Sequence, residues 1–337
     1  MRSAVANLVS ELRLGMIQTH NAMAVVPLFT DDIDGPEYLT MGEALQEQLL
    51  IVNETSKGGQ TSAVSAENMG DWPILLLDGE ELQGSKQNRI VNTSVLLRPN
   101  STTSIAVSCS ELGRSHYMAR QPREFTDSGV VMSAGIRSGK TASVARAYCA
   151  TGSATADQRE IWGQINALHQ KTETDSRTSA MRDAFEHRRS DIDGFVDYFA
   201  VVPEQNGMIV FVDGEVVGMD ILSRPDAFAR VAPRLLKSYA MEAVTTGIVN
   251  GEEATEELAL KFLRDTFAEP RIYPSTGEGY DHRFDSGNVV GSALVVDDTV
   301  IHASFFRKRN SEVAERFLGT LTLQELRGEN GQMGQQF

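Results

Sequence analysis

Between residues 24 and 118 the apolar residues come in short or alternating runs, each closed by turn formers: 24–29, 49–54, 62–66, 74–77, 90–97 and 103–108. A helix needs an apolar stripe at a period of 3.6 over a longer segment, so these runs read as strands. The exception is Thr40, followed by a helix-forming stretch with Glu43 three positions on, which predicts one inserted helix with a capping box. The first part of the chain is therefore expected to be a β-rich lobe of sandwich-like antiparallel sheets.

Farther on the period changes. Apolar residues at helical spacing predict helices over 157–170, 176–199, 223–244 and 253–267, and a shorter one over 3–14. Pro225 suits the start of its helix, whereas Pro233 falls inside it and should bend it. Two strands over 208–212 and 215–222 flank Asp213-Gly214, a pair that supplies the positive φ angles of a two-residue hairpin turn. A final strand pair is expected over 289–296 and 299–306. The segment 115–155 lacks a sustained period and reads as a long excursion with one strand at 130–132. The fold class is thus α+β: a leading helix (1–14), a β-rich lobe (15–150), a mixed helix and antiparallel-hairpin lobe (151–310), and a polar tail (311–337). Acidic turns after apolar strands recur at Asp78-Gly79, Asp213-Gly214 and Asp297-Asp298, a pattern that either common turn chemistry or an internal duplication produces.

Composition narrows the function classes. Acidic residues outnumber basic ones 46 to 31, a formal charge of −15, which repels nucleic-acid backbones and anionic membranes. No apolar run approaches the length of a membrane span, and Glu11 and Arg13 interrupt the first residues where a secretory signal needs an unbroken core. Two cysteines are too few for a disulfide framework or a thiolate cage. A cytoplasmic protein is expected, with no nucleic-acid and no membrane partner.

The apolar run 73–77 empties into a dozen residues bearing Glu80, Glu81, Lys86, Gln87, Asn88 and Arg89, with Asn92 beyond. A simple turn needs far fewer polar groups, so this stretch is the leading candidate for a ligand surface. Lys86 and Arg89 suit an anionic group, and Gln87, Asn88 and Asn92 suit its polar edges. The competing reading has Glu80 and Glu81 pair with Lys86 and Arg89 as structural ion pairs. His302, on the last strand, is a candidate acid or base if Glu278 approaches it as the orienting carboxylate. Cys109 alternates with Ile105 and Val107 and reads as packing, or as a thiolate beside Arg114. The remaining histidines show no metal-ligand spacing, so no metal site is expected, and the residues name no cofactor. Residues 134–141, Ala-Gly-Ile-Arg-Ser-Gly-Lys-Thr, fit a relaxed phosphate-loop pattern, but without a strong preceding strand they read as a solvated basic turn.

Val26-Pro27-Leu28-Phe29, Leu75-Leu76-Leu77-Asp78-Gly79-Glu80-Glu81-Leu82 with Gly84, Lys86-Gln87-Asn88-Arg89, Asn92-Thr93-Ser94, Val107-Ser108-Cys109 and Gly113-Arg114 together form a recognisable block. Ile161-Trp162, Leu235-Leu236-Lys237-Ser238-Tyr239-Ala240 and Val300-Ile301-His302 extend it. The chain, from about residue 15 to 306, resembles the ADP-ribosylglycohydrolase- and rhodanese-phosphatase-associated domain family. The resemblance implies a setting near enzymes of ADP-ribose and phosphate, hence a nucleotide-linked ligand by association. Three readings follow. The first is a binding or accessory protein for a small anionic, ADP-ribose-like ligand held by Lys86, Gln87, Asn88, Arg89, Asn92 and Arg114. The second is a hydrolase of such a ligand using Glu81, Glu278 and His302, with Arg89 stabilising the anion. The third is a scaffold whose long helices present a homo-oligomer face.

Overall fold

The computed structural model describes residues 4–30, 35–55, 62–84, 87–112, 125–247, 251 and 253–308. Lys86, Arg114 and the tail over 311–337 lie outside the described residues. In chain order the elements are α1 (Ala4–Glu11), β1 (Arg13–Leu14), β2 (Gln18–His20), β3 (Met23–Phe29), β4 (Leu39–Thr40), α2 (Met41–Gln46), β5 (Leu50–Glu54) and β6 (Ala63–Asn68). There follow β7 (Ile74–Leu76), β8 (Glu80–Gly84), β9 (Arg89–Val91), β10 (Val95–Leu97), β11 (Ser101–Cys109), β12 (Phe125–Val131), α3 (Ala134–Thr151), α4 (Gln158–Thr172), α5 (Met181–His187) and α6 (Arg189–Tyr198). The chain continues through β13 (Gly207–Val212), β14 (Glu215–Leu222), α7 (Pro225–Thr246), α8 (Glu256–Asp265), β15 (Arg271–Pro274), β16 (Tyr280–Ser286), β17 (Val289–Val296) and β18 (Thr299–Arg307).

The fold is α+β, and its described strands make three sheets. A nine-stranded antiparallel sheet runs β1-β3-β13-β14-β18-β17-β16-β15, with β2 also on β3. A six-stranded sheet runs β12-β8-β9-β11-β6-β5, and a three-stranded one β10-β7-β4. The six- and three-stranded sheets face each other across a core of Leu76, Leu82, Val91, Leu97, Ile105 and neighbours. Helices α1 and α8 cover one face of the large sheet. The other face carries the largest core, shared with α3 to α7 and with Leu75, Leu77, Ile90 and Leu96. The apolar run 74–77 is explained by this arrangement: Ile74 and Leu76 point to one core, Leu75 and Leu77 to the other, so both faces of the strand are buried.

Local chemistry fixes several elements as expected. Thr40 and Glu43 form the reciprocal capping box of α2. Asp213 and Gly214 adopt φ of 52° and 80° and close the β13–β14 hairpin, and Asp297 and Asp298, at 47° and 63°, close β17–β18. Asp78-Gly79 differs, because β7 and β8 belong to different sheets and its turn changes the chain's course between them. Within the first 30 residues, β3 is already hydrogen-bonded to β13 of the second half.

Two expectations are corrected. The helix expected over 176–199 is split at Arg188 (φ −102°, ψ 20°) into α5 and α6. The segment read as a long excursion contains β12 and the 18-residue helix α3, and residues 134–141 form its first turns rather than a basic turn in solvent. Arg137 is 0% and Lys140 1% exposed. Pattern reading failed here because the buried face of α3 mixes Arg137, Lys140, Thr141 and Ser143 with its apolar residues, so no continuous apolar stripe marks it.

The connection from β15 to β16 docks on the three-stranded sheet, where Glu278 N–H donates to Leu96 O at 2.8 Å. Gly279 sits at φ 74°, and a Cβ there would collide with the Val295 carbonyl. Gly279→Ala is expected to lose about 2–4 kcal/mol of stability, read by chemical denaturation, since strained φ and backbone overlap add.

Candidate functional site

Of the stretch singled out in the sequence, the described residues Glu80, Glu81, Gln87, Asn88, Arg89 and Asn92 are buried, and they are divided between faces. Glu81 pairs across the ladder with Ile90, and Leu82 with Arg89, so Glu81 and Arg89 point to opposite faces. Arg89 Nη2 meets Glu54 Oε1 at 3.0 Å, and its Nη1 donates to Cys109 Sγ at 2.7 Å. Burial pushes the Cys109 thiol up, against the opposing pull of the Arg89 charge. Cys109 and Cys149 are both free thiols. Gln87 Nε2 donates to Glu111 O at 3.1 Å, and Asn88 N–H to Glu111 Oε2 at 3.3 Å. Asn92 donates to Ala154 O at 3.0 Å and accepts from Ser108 Oγ at 2.8 Å. Glu81 accepts from Ser110 Oγ at 2.6 Å, and burial pushes its carboxyl up to about 7. Glu278 lies beside Arg98 at 3.9 Å, and the carboxylate at His302 is Asp220 instead.

A second constellation forms where α3 crosses the nine-stranded sheet. Register places Asp220 opposite Ser304, Ser304 opposite Ser292, Ser292 opposite Arg283, and Arg283 opposite Arg271. Directly paired residues share a face, so a polar row crosses five strands. The adjacent row holds His302, Asp281 and Tyr273. From above, α3 lowers Arg137, Lys140 and Tyr148 onto it.

The result is a buried polar seam. Arg137 grips Asp220 with both terminal nitrogens, at 2.9 and 2.6 Å, and lies over the Phe306 ring at 4.8 Å. Lys140 Nζ donates to Asp78 Oδ1 at 2.5 Å and to Asn92 O at 2.7 Å. Arg283 donates to Asp281 at 2.6 Å, and Tyr148 hydroxyl reaches the same oxygen at 3.2 Å. Tyr239 hydroxyl donates to Asp220 at 2.7 Å. His302 Nε2 lies 3.2 Å from Asp220 Oδ1, and its Nδ1 2.7 Å from Ser94 Oγ, which also receives Asp78 N–H at 2.9 Å.

Electrostatics follow from dehydration. Burial opposes ionisation of Asp220, but the Arg137 charge and the hydrogen bonds from His302 and Arg137 prevail and hold its carboxyl at about 2. For Lys140 burial prevails over the pull of Asp78, bringing the ammonium down to about 8. Four buried atoms of the seam have no hydrogen-bond partner: Asp78 Oδ2, Arg137 Nε, and Arg283 Nε and Nη1. Among the described residues no group of His, Cys, Asp and Glu has the arrangement of a metal site. An open groove of about 560 Å³, lined by Gly42, Leu45, Met69, Phe125 and Asp127 among others, shares no residue with the seam.

Of the sequence candidates, the seam includes His302 and Asn92. Sequence reasoning missed Asp78, Ser94, Arg137, Lys140, Asp220 and Arg283. A readable signal existed for Asp220 and for the Asp281/Arg283 pair, charged residues set into strands otherwise fit for burial.

Glu81 tests the electrostatic reading. Its folded value, about 7, lies above the ordinary 4.5, so the folded protein binds this proton more tightly and a rise in pH through that window drains stability. Glu81→Gln removes the drain: melting temperature should rise above wild type at pH 8 and match it near pH 4.5. Arg89→Ala, by contrast, should cost about 3–5 kcal/mol in a denaturant titration, because the Glu54 carboxylate is left buried without its guanidinium.

Comparison with known families returns one domain. The profile of the ARG and Rhodanese-Phosphatase-superfamily-associated Protein domain matches residues 11–306. Comparisons with curated proteins and with solved structures return no match. No described helix is long and apolar enough to cross a membrane.

Proposed function

The chain belongs to the ARG and Rhodanese-Phosphatase-superfamily-associated Protein domain family, and we propose that it binds a small anionic, hydroxyl-bearing ligand of the phosphorylated-sugar or ADP-ribose kind in the seam under α3. One observation carries this reading: Asp78 Oδ2, Arg137 Nε, and Arg283 Nε and Nη1 are all buried without partners in one region. A buried polar group left unpaired costs about 1–3 kcal/mol, more when charged, so such atoms are scarce in folded proteins and cluster where something else completes them. The guanidinium N–H groups call for anionic oxygens, and the bare carboxylate oxygen calls for a hydroxyl donor. A sugar phosphate offers both. The family's description, which places its members with ARG and rhodanese-phosphatase proteins, points to the same chemistry.

Within this reading His302 keeps the acid or base role expected of it, Asn92 supports the seam through Lys140, Ser108 and Ala154, and Arg283 and Arg137 take the anion-holding role expected of Arg89. Thermal-shift measurements with ADP-ribose, ribose 5-phosphate and inorganic phosphate test it. A ligand binding only the native state at 100 times its Kd adds about 2.7 kcal/mol, a rise of several degrees. The rise should vanish in Arg283→Lys, which keeps the charge and loses the fork, and persist in Arg146→Ala, whose surface pair with Glu160 lies outside the seam. Absence of any shift across the three probes would refute the proposal.

A further inference from the structure

We propose that Ser94, His302 and Asp220 form a nucleophile, base and orienting carboxylate that cleave a carboxylic ester on the hydroxyl-bearing anion, a step that rests on the binding reading above. The three residues come from the β9–β10 connection, β18 and β14, and nothing in chain order brings them together. The sheet does so, in the sequence Ser94 Oγ, His302 Nδ1 at 2.7 Å, His302 Nε2, Asp220 Oδ1 at 3.2 Å.

In the catalytic tautomer the imidazole carries its proton on Nε2, donated to Asp220, and Nδ1 accepts from Ser94 Oγ. Asp78 N–H, donating to Ser94 Oγ at 2.9 Å, holds the hydroxyl oxygen in place for this. Arg137 and Tyr239 clamp Asp220 from two other sides, so the carboxylate orients the ring and cannot swing away. Exposure is graded in the order such a device needs: Asp220 0%, His302 1%, Ser94 7%, with the nucleophile nearest solvent. An arrangement of this kind is identified by geometry and roles, whatever the fold.

The reaction balances without a further reagent. Ser94 Oγ attacks the ester carbonyl while His302 Nδ1 takes the hydroxyl proton; the tetrahedral adduct expels the alcohol, which leaves with that proton. Water then attacks the acyl-serine, gives its proton to Nδ1, and the carboxylic acid departs as Ser94 recovers its hydrogen. The sum is ester plus water to acid plus alcohol. Asp78, with Oδ2 free, lies beside the nucleophile to hold a neighbouring hydroxyl of the sugar.

The test uses the full chain, a fluorophosphonate and p-nitrophenyl acetate, with Ser94→Ala, Ser94→Cys and His302→Gln as variants checked for fold by circular dichroism. Wild type should gain a single phosphonyl adduct on the peptide containing Ser94. Ester hydrolysis should fall at least about 100-fold in Ser94→Ala and His302→Gln, and Ser94→Cys should become alkylatable at that position. An adduct elsewhere, or none, in a folded protein that a seam ligand still stabilises overturns the esterase and leaves binding intact. No adduct together with no thermal shift overturns both.

Discussion

Three basic side chains and three carboxylates are held away from water beneath α3, and the rest of the architecture is arranged to make that tolerable. Arg137 with Asp220, Lys140 with Asp78, and Arg283 with Asp281 are each 5% exposed or less at the side chain. Removing such charges from water costs several kcal/mol per ion, and only close, well-directed pairing returns it. Arg283 and Asp281 share β16, but the other contacts join different layers. Lys140 joins α3 to the turn between β7 and β8, Arg137 joins it to β14, and Ser94 joins the β9–β10 connection to β18. The same contacts that neutralise the charges therefore hold the small sheets against the large one.

Support alone does not account for the unpaired atoms the seam retains. A purely supportive network gains by satisfying every donor, and apolar residues of similar volume would serve support at least as well. Here the two guanidiniums direct their strongest contacts to carboxylates and leave Nε of Arg137, and Nε and Nη1 of Arg283, without protein acceptors. A lysine brought down to about 8 by burial and a carboxyl held at about 2 by Arg137 and His302 stand in the same enclosure.

Much of the fold was legible because its signals are local. The Asp213-Gly214 turn, the Thr40–Glu43 capping box and the short apolar runs of β17 and β18 each depend on neighbours a few residues apart. The family was legible for a similar reason, since the residues around Asp78 to Ser94 form a contiguous pattern. The seam was not, because it is made of register. Asp220, Ser304, Ser292 and Arg283 form a row only after four strands have paired, and α3 hides its role by burying charge where an apolar stripe is expected. The cluster around Glu81 and Arg89 misled in the opposite sense: contiguity in sequence suggested convergence, while strand alternation sends the two side chains apart.

The position of β18 carries a consequence for how the chain reaches this state. It is the last described strand, yet it lies inside the large sheet between β14 and β17, with β3 from near the start three places away. A ribosome must therefore release the chain through Arg307 before the central ladder can close. Contacts of such sequence separation make for slow, late-stage assembly, and until β18 inserts, β14 and β17 present open edges on which neighbouring nascent chains could pair. Those edges stay exposed longest just before β18 emerges, the interval in which shielding by a chaperone would count most.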